Sequence, residues 1–290
     1  MKLYAISDLH LSYEANREAL QQLPPQPDDW LIVAGDVGEK IAHLEFAFQV
    51  LCPRFRQLLW VPGNHDLWTL PEDQLRGEAR YRKQVETCRQ YGVLTPEDPF
   101  PTWTGEGMRC VIAPLFTLYD YTFRPDYVPA DRAIDWATES GVLCADEHFL
   151  YPDPHASRQA WCEERCRLSE SRLELASREH PLVIVNHFPL RRDLVHLPMV
   201  PRFSLWCGTR LTEDWHRRFR AKVVVSGHLH MRSTRWIDGV RFEEVSLGYP
   251  RHWRQERGLK AYLREILPGP TDDELRQRTP RSPNSDGQGR

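Results

Sequence analysis

Residues able to bind cations or move protons gather at a few places in this 290-residue chain: Asp8-Leu-His10, Gly35-Asp36, Gly63-Asn64-His65-Asp66, Asn186-His187 and Gly227-His228-Leu-His230. Each alone has an ordinary explanation. A capping Asp beside a partly buried His is common, and Gly-Asp after a strand is a normal turn. In Gly-His-Leu-His the two-residue spacing sends both imidazoles to one side if strand geometry continues. Together, Asp8, His10, Asp36, Asn64, His187, His228 and His230 offer four imidazoles, two carboxylates and an amide oxygen. Such a set, converging on one point, would be costly to desolvate unless something there satisfied it, and divalent cations do so. One cation is too few for seven ligands. Two, about 3.5 to 4 Å apart and sharing a carboxylate, accommodate them. Mixed nitrogen and oxygen ligation without thiolate suits Mn, Fe, Zn or Co, and the expectation is Mn or an Fe/Mn pair.

The elements that must position these groups are short apolar runs. "KLYAIS", "WLIVA", "LLWVP", "PLVIV" and "KVVVS" each run directly into one of the polar clusters. Runs of four to six β-branched or aromatic residues bounded by Gly or Pro read as buried strands. Helical patterns at Glu14 to Leu23 and Ala42 to Gln57 make the first third a β-α-β-α-β series. In such architectures ligands bind at strand carboxyl ends, where loops converge on a rigid sheet. Further helices are expected over Gln74 to Tyr91 and His155 to Glu179. The stretch from Phe116 to Pro154 reads as irregular. "STRWIDGVRFEEVSLG" reads as a hairpin around Asp238-Gly239. From Pro268 the chain turns to "PGPTDDELRQRTPRSPNSDGQGR", low in apolar residues, so residues 1–267 read as one domain and 268–290 as a disordered tail.

Composition narrows the setting. No run of 18 or more apolar residues occurs, so no membrane span is expected. The N-terminal MKLYAISDLHL lacks the apolar core of a secretory signal. Seven scattered cysteines do not form a disulfide framework and suit a reducing cytoplasm. The net charge of −3 hides an asymmetry: Asn186 to Lys260 holds 15 Lys and Arg against 7 Asp and Glu. Such clusters are often plain solvated surface, but they also suit an anionic substrate or an acidic protein partner.

The order Asp-x-His, Gly-Asp, Gly-Asn-His-Asp, His, Gly-His-x-His resembles the calcineurin-like metallophosphoesterase superfamily. The resemblance implies an α/β fold, a two-sheet β-sandwich flanked by helices, with a dinuclear centre at the strand ends. It implies that Asp8, His10 and His230 hold one metal, that Asn64, His187 and His228 hold the other, and that Asp36 bridges. His65 is then catalytic beside the scissile phosphate, with Asp66 orienting its imidazole. Two cations would generate a bridging hydroxide near neutral pH to attack phosphorus, and protonated His65 would donate to the leaving oxygen.

"PDDWLIVAGDV", "GVLTPEDPFPTW", "FSLWCGT" and "DGVRFEEVSLGYPRHW" resemble a bacterial branch that includes 4′-phosphopantetheinyl hydrolases. That branch implies release of phosphopantetheine from a serine of a holo acyl or peptidyl carrier protein. Carrier proteins are usually acidic, so a basic rim of Arg191, Arg192, Arg202, Arg210 and Arg217 to Lys222 would steer one to the metals. Tyr119 to Tyr127 would either wall a groove for the pantetheine arm or cover the sheet. The alternative is a small-molecule or cyclic-nucleotide phosphodiesterase with a closed pocket. A nuclease needs a broad basic track, for which −3 is poor support. A scaffold role, as in the metallophosphoesterase-like subunit of the retromer coat, expects eroded ligands, and none is eroded here.

Overall fold

The computed structural model describes residues 1–269, so the expected disordered tail lies almost wholly outside the described residues. Its strands in chain order are β1 (Leu3–Ile6), β2 (Gln26–Val33), β3 (Phe55–Trp60), β4 (Thr102–Trp103), β5 (Cys110–Pro114), β6 (Leu182–Val185), β7 (Ala221–Ser226), β8 (Ser233–Ile237), β9 (Val240–Glu244) and β10 (Arg264–Leu267). Its α-helices are α1 (Glu14–Gln21), α2 (Ile41–Leu51), α3 (Asn64–Leu67), α4 (Gly77–Gln90), α5 (Ala133–Thr138), α6 (Asp146–Phe149), α7 (Arg158–Ala176) and α8 (Trp215–Arg218). The strands form two sheets, ordered β10-β1-β2-β3 and β4-β5-β6-β7-β9-β8. Within them β1-β2-β3 and β5-β6-β7-β9 are parallel, while β10, β4 and β8 close edges antiparallel.

Strand periodicity explains why two sheets are needed. Along β2 and the residue after it, Leu31 and Val33 join one apolar cluster, whereas Ile32 and Ala34 join a second. β6 divides the same way, with Leu182 and Ile184 on one side and Val183 and Val185 on the other. A parallel strand apolar on both faces must be covered on both. Here the second cluster is the seam between the sheets, and the first packs beneath the helices. This is the helix-flanked sandwich that the resemblance implied.

Local chemistry sets the boundaries. The helix expected over Ala42 to Gln57 stops at Leu51, since Pro53 has no amide hydrogen to continue the ladder, and Phe55 opens β3. α7 begins one residue after Ser157, whose hydroxyl accepts the Ala160 amide at 3.1 Å. Asp238 and Gly239 both adopt positive φ, 52° and 74°, as the expected β8-β9 hairpin requires. The segment expected to be irregular contains α5 and α6. Tyr119, Tyr121 and Phe123 within it are buried, as a cover over the sheet requires, whereas Tyr127 is exposed.

The seam predicts a cost for emptying it. Leu59, fully buried in β3, touches that inter-sheet cluster. Leu59→Ala should lower the unfolding free energy by about 2–5 kcal/mol in urea titration, and a loss below about 1 kcal/mol would contradict a close-packed seam.

Candidate metal centre

The polar clusters meet because the two sheets converge at the carboxyl ends of their parallel strands. Ser7, just past β1, bridges to Ser246, just past β9, and the Leu247 amide donates to the Ser7 carbonyl at 2.8 Å. The loops are laced across the seam and along each sheet: the Asp8 amide donates to Gly35 at 2.9 Å, His10 to Asp36 at 3.0 Å, and Gly227 to His187 at 2.9 Å. Asp8, His10, Asp36, His228 and His230 all adopt left-handed backbone, with φ between 42° and 72°. Non-glycine residues held there cost on the order of 1–3 kcal/mol each and gather at functional sites. Gly63 permits the closest approach, because a Cβ there would collide with the Asp36 carboxylate.

The expected ligands fall into groups compatible with metal binding. Asp8, His10 and His230 form one, Asp36, His187 and His228 a second, and His10, Asp36 and His65 a third, each with donor atoms within 4.8 Å of one another. Asp36 thus stands between the two sides. Asn64 joins through its side-chain oxygen, 3.1 Å from His228 Nδ1. In the first group His230 Nε2 lies 3.0 Å from both Asp8 Oδ1 and His10 Nε2. The His187 Nδ1–H donates to the Ala34 carbonyl at 2.9 Å, which leaves Nε2 facing Asp36 Oδ2 at 3.4 Å. His187 Nε2 and His228 Nε2 are buried without a hydrogen-bond partner. The stranded lone pair of His228 Nε2, in a donor set free of thiolate, fits a divalent ion. Burial and neighbouring imidazoles push His10 and His228 down to about 3, so both are neutral donors. Burial opposes the charge on His187, but Asp36 outweighs it and raises the pKa to about 10. A cation at Nε2 would displace that proton.

Residues that sequence reasoning missed hold these groups in place. Asp8 Oδ2 accepts from Ser7 Oγ (2.5 Å), Ser246 Oγ (2.7 Å) and the His228 amide (3.1 Å), so only Oδ1 faces inward. Asp146, in α6, accepts from Asn64 Nδ2 at 3.0 Å and Trp68 Nε1 at 2.6 Å, which turns the Asn64 oxygen toward His228. Asn16 joins the Asp8-His10 loop to the 248–253 loop through Leu9 O, Gly248 O and Trp253 Nε1.

One expectation is overturned. Asp66 does not orient His65: its carboxylate accepts the amides of Asp36, Gly63, Val37 and Gly38 at 2.8 to 3.3 Å. It is a clamp on the Gly35-Asp36 turn. The imidazole of His65 is held instead by Glu39, with Nδ1 3.0 Å from Oε1, and packs on Trp68 with ring centroids 3.8 Å apart. The one-turn helix α3 explains the difference, since it points Asp66 back at strand-end amides and His65 forward. Burial disfavours the His65 imidazolium, but Asp36 and Glu39 together raise its pKa above the ordinary value.

Gly63→Ala should therefore disturb the centre without unfolding the chain. After equilibration with Mn²⁺ and desalting, the wild type should retain about two ions per chain, and the variant fewer, measured by atomic emission. Equal metal content would show that the Gly63-Asp36 approach does not shape the site.

Residues 1–232 match the family model for calcineurin-like phosphoesterases. The chain is 47% identical over 272 residues to acyl-carrier-protein phosphodiesterase PptH of Mycobacterium tuberculosis, spanning 92% of this chain and 84% of that protein. The crystal structure of phosphopantetheinyl hydrolase PptH from that organism matches with a TM-score of 0.88 at 47% identity, covering 93% of this chain and 96% of that one. The loops carrying the candidate ligands, from Asp8 to His230, all lie inside the matched family segment, and the chain belongs to the calcineurin-like phosphoesterases.

Proposed function

We propose that this enzyme hydrolyses the phosphodiester between 4′-phosphopantetheine and a serine of an acyl or peptidyl carrier protein, releasing phosphopantetheine and the unmodified serine. The observation that carries this reading is 47% identity, over nearly the whole chain, to a protein described as an acyl-carrier-protein phosphodiesterase. The geometry supports assigning Asp8, His10 and His230 to one ion and Asn64, His187 and His228 to the other, with Asp36 shared. Mn or an Fe/Mn pair suits this donor set. Held by these residues, two divalent ions would supply Lewis-acid activation of water and neutralisation of phosphate charge. The catalytic domain is residues 1–267, closed by β10 pairing with β1. Among the described residues no helix is long and apolar enough to cross a membrane. Seven free thiols suit a cytoplasmic setting.

The chain's own part is proton delivery. His65 sits between His10, at a centroid distance of 4.7 Å, and Trp68, beside Asp36. Glu39 and Asp36 favour its protonated form, which is the form able to donate to the departing serine oxygen. The Glu39 contact also fixes which ring nitrogen faces outward: Nδ1 is engaged, so Nε2 is the donor to substrate.

Incubation of holo carrier protein with enzyme and Mn²⁺ should remove the entire phosphopantetheine arm, read by intact-protein mass spectrometry. Cleavage of bis-nitrophenyl phosphate with the carrier left intact would overturn the substrate and favour a small-molecule diesterase. His65→Ala should retain its metals and lose about 10²- to 10⁴-fold in kcat. Glu39→Gln should lose kcat by a smaller factor, with metal content again unchanged. Parallel loss of metal and turnover in either variant would contradict these roles.

A further inference from the structure

The reading of the substrate as a holo carrier protein sets a geometric demand, on which the following rests. The scissile ester is made by the carrier's own serine, so phosphorus lies one side chain from the carrier's surface. A carrier presenting that ester to the metal ligands must rest on the rim immediately beside them. Charges there act over about 10 Å at moderate salt.

The rim has two chemically different sides. Beyond His228 it is apolar: Phe203 lies over the His228 ring at 6.1 Å, and the exposed Met199 and Val200 lead into it. On the other side, His65 is followed by His10, then Tyr249 at 4.5 Å from His10, then Arg251 at 5.2 Å from the Tyr249 ring. His65 is the proposed donor to the serine oxygen, and this second side adjoins it. His252, whose Nδ1 lies 3.0 Å from His230 Nδ1, continues the same side into a concavity of about 520 Å³ walled by Arg251, Arg254, Arg257 and Tyr262.

Most cations of the other basic segment are paired, whereas those of this patch are not. Along the rim expected from sequence, Arg191 is engaged by Asp193 and Arg210 by Asp126, both at 2.6 Å, Arg202 by Glu139, Arg217 by Asp238, and Arg218 by Glu170, while Arg192, Arg220 and Lys222 have no ion pair with a carboxylate among the described residues. Arg251, Arg254, Arg257 and Lys260 are all exposed, and among the described residues none is ion-paired with a carboxylate. Paired guanidinium groups offer a partner little field, whereas unpaired ones steer and orient an anionic surface. The loop carrying them is fixed in place: Trp253 Nε1 donates to Asn16, and the Arg254 amide donates to the Tyr262 hydroxyl at 2.8 Å. We infer that the segment from Arg251 to Lys260 is the docking surface for the acidic face of the carrier protein around its modified serine, and that the Arg191 to Lys222 rim is not.

The test compares kcat/KM for holo carrier protein with kcat/KM for bis-nitrophenyl phosphate in the same preparations. In the double variant Arg254→Glu, Arg257→Glu the ratio of the two should fall by about tenfold or more, and the loss of carrier activity with added NaCl should flatten. The control Arg217→Glu, Arg218→Glu should hold the ratio within about twofold, because these groups already face carboxylates. A ratio unchanged in the first variant, or lowered equally in both, would overturn the assignment while the wild type still strips the carrier. A wild type that leaves the carrier's arm intact would instead overturn the substrate reading, and the docking surface with it.

Discussion

The centre turns on two carboxylates, Asp8 and Asp36, held almost without solvent at the meeting line of two sheets. A buried anion survives only with hydrogen bonds and positive charge close by. The chain saturates one oxygen of each: Ser7, Ser246 and the His228 amide take Asp8 Oδ2, and the His65 amide takes Asp36 Oδ1 at 2.9 Å. The remaining oxygens face His230 and His187. Positive charge then comes from protons on imidazoles or from cations that replace them. That choice is what makes the site a metal centre rather than a buried salt-bridge cluster.

Everything around this edge serves to keep it rigid. Sheets buried on both faces fix where each strand ends, and the strand ends bend through left-handed backbone at Asp8, His10, Asp36, His228 and His230. Those conformations persist because amide bonds between loops over-determine them, and because Asp66 collects four amides around the Gly35-Asp36 turn. The strain and the packing are thus two parts of one arrangement: the core holds the candidate ligands in a geometry the loops alone would not adopt.

Much of this was legible in the sequence because the candidate ligands sit at strand ends, where an apolar run stopping in a polar tip is a local signal. Asp8, His10, Asp36, Asn64, His187, His228 and His230 could be found that way. Glu39 and Asp146 could not, because each acts on a partner far along the chain, His65 and Asn64, through a side chain whose direction depends on the tertiary fold. Asp66 misled for the opposite reason: adjacency to His65 suggested a pair, but neighbours on a helical turn diverge. The helix expected to run to Gln57 failed because apolar residues in Phe55 to Trp60 suit either period until Pro53 is weighed. Charge counting located basic segments, yet which of their cations face carboxylates, as Arg191 and Arg217 do, is decided by the fold.

The most direct examination of the central claim is anomalous diffraction from crystals grown with Mn²⁺. Two peaks about 3.5–4 Å apart, with Asp36 touching both, Asp8, His10 and His230 around one, and Asn64, His187 and His228 around the other, are what the arrangement predicts. A single peak, or a pair in which Asp36 contacts only one ion, would contradict it.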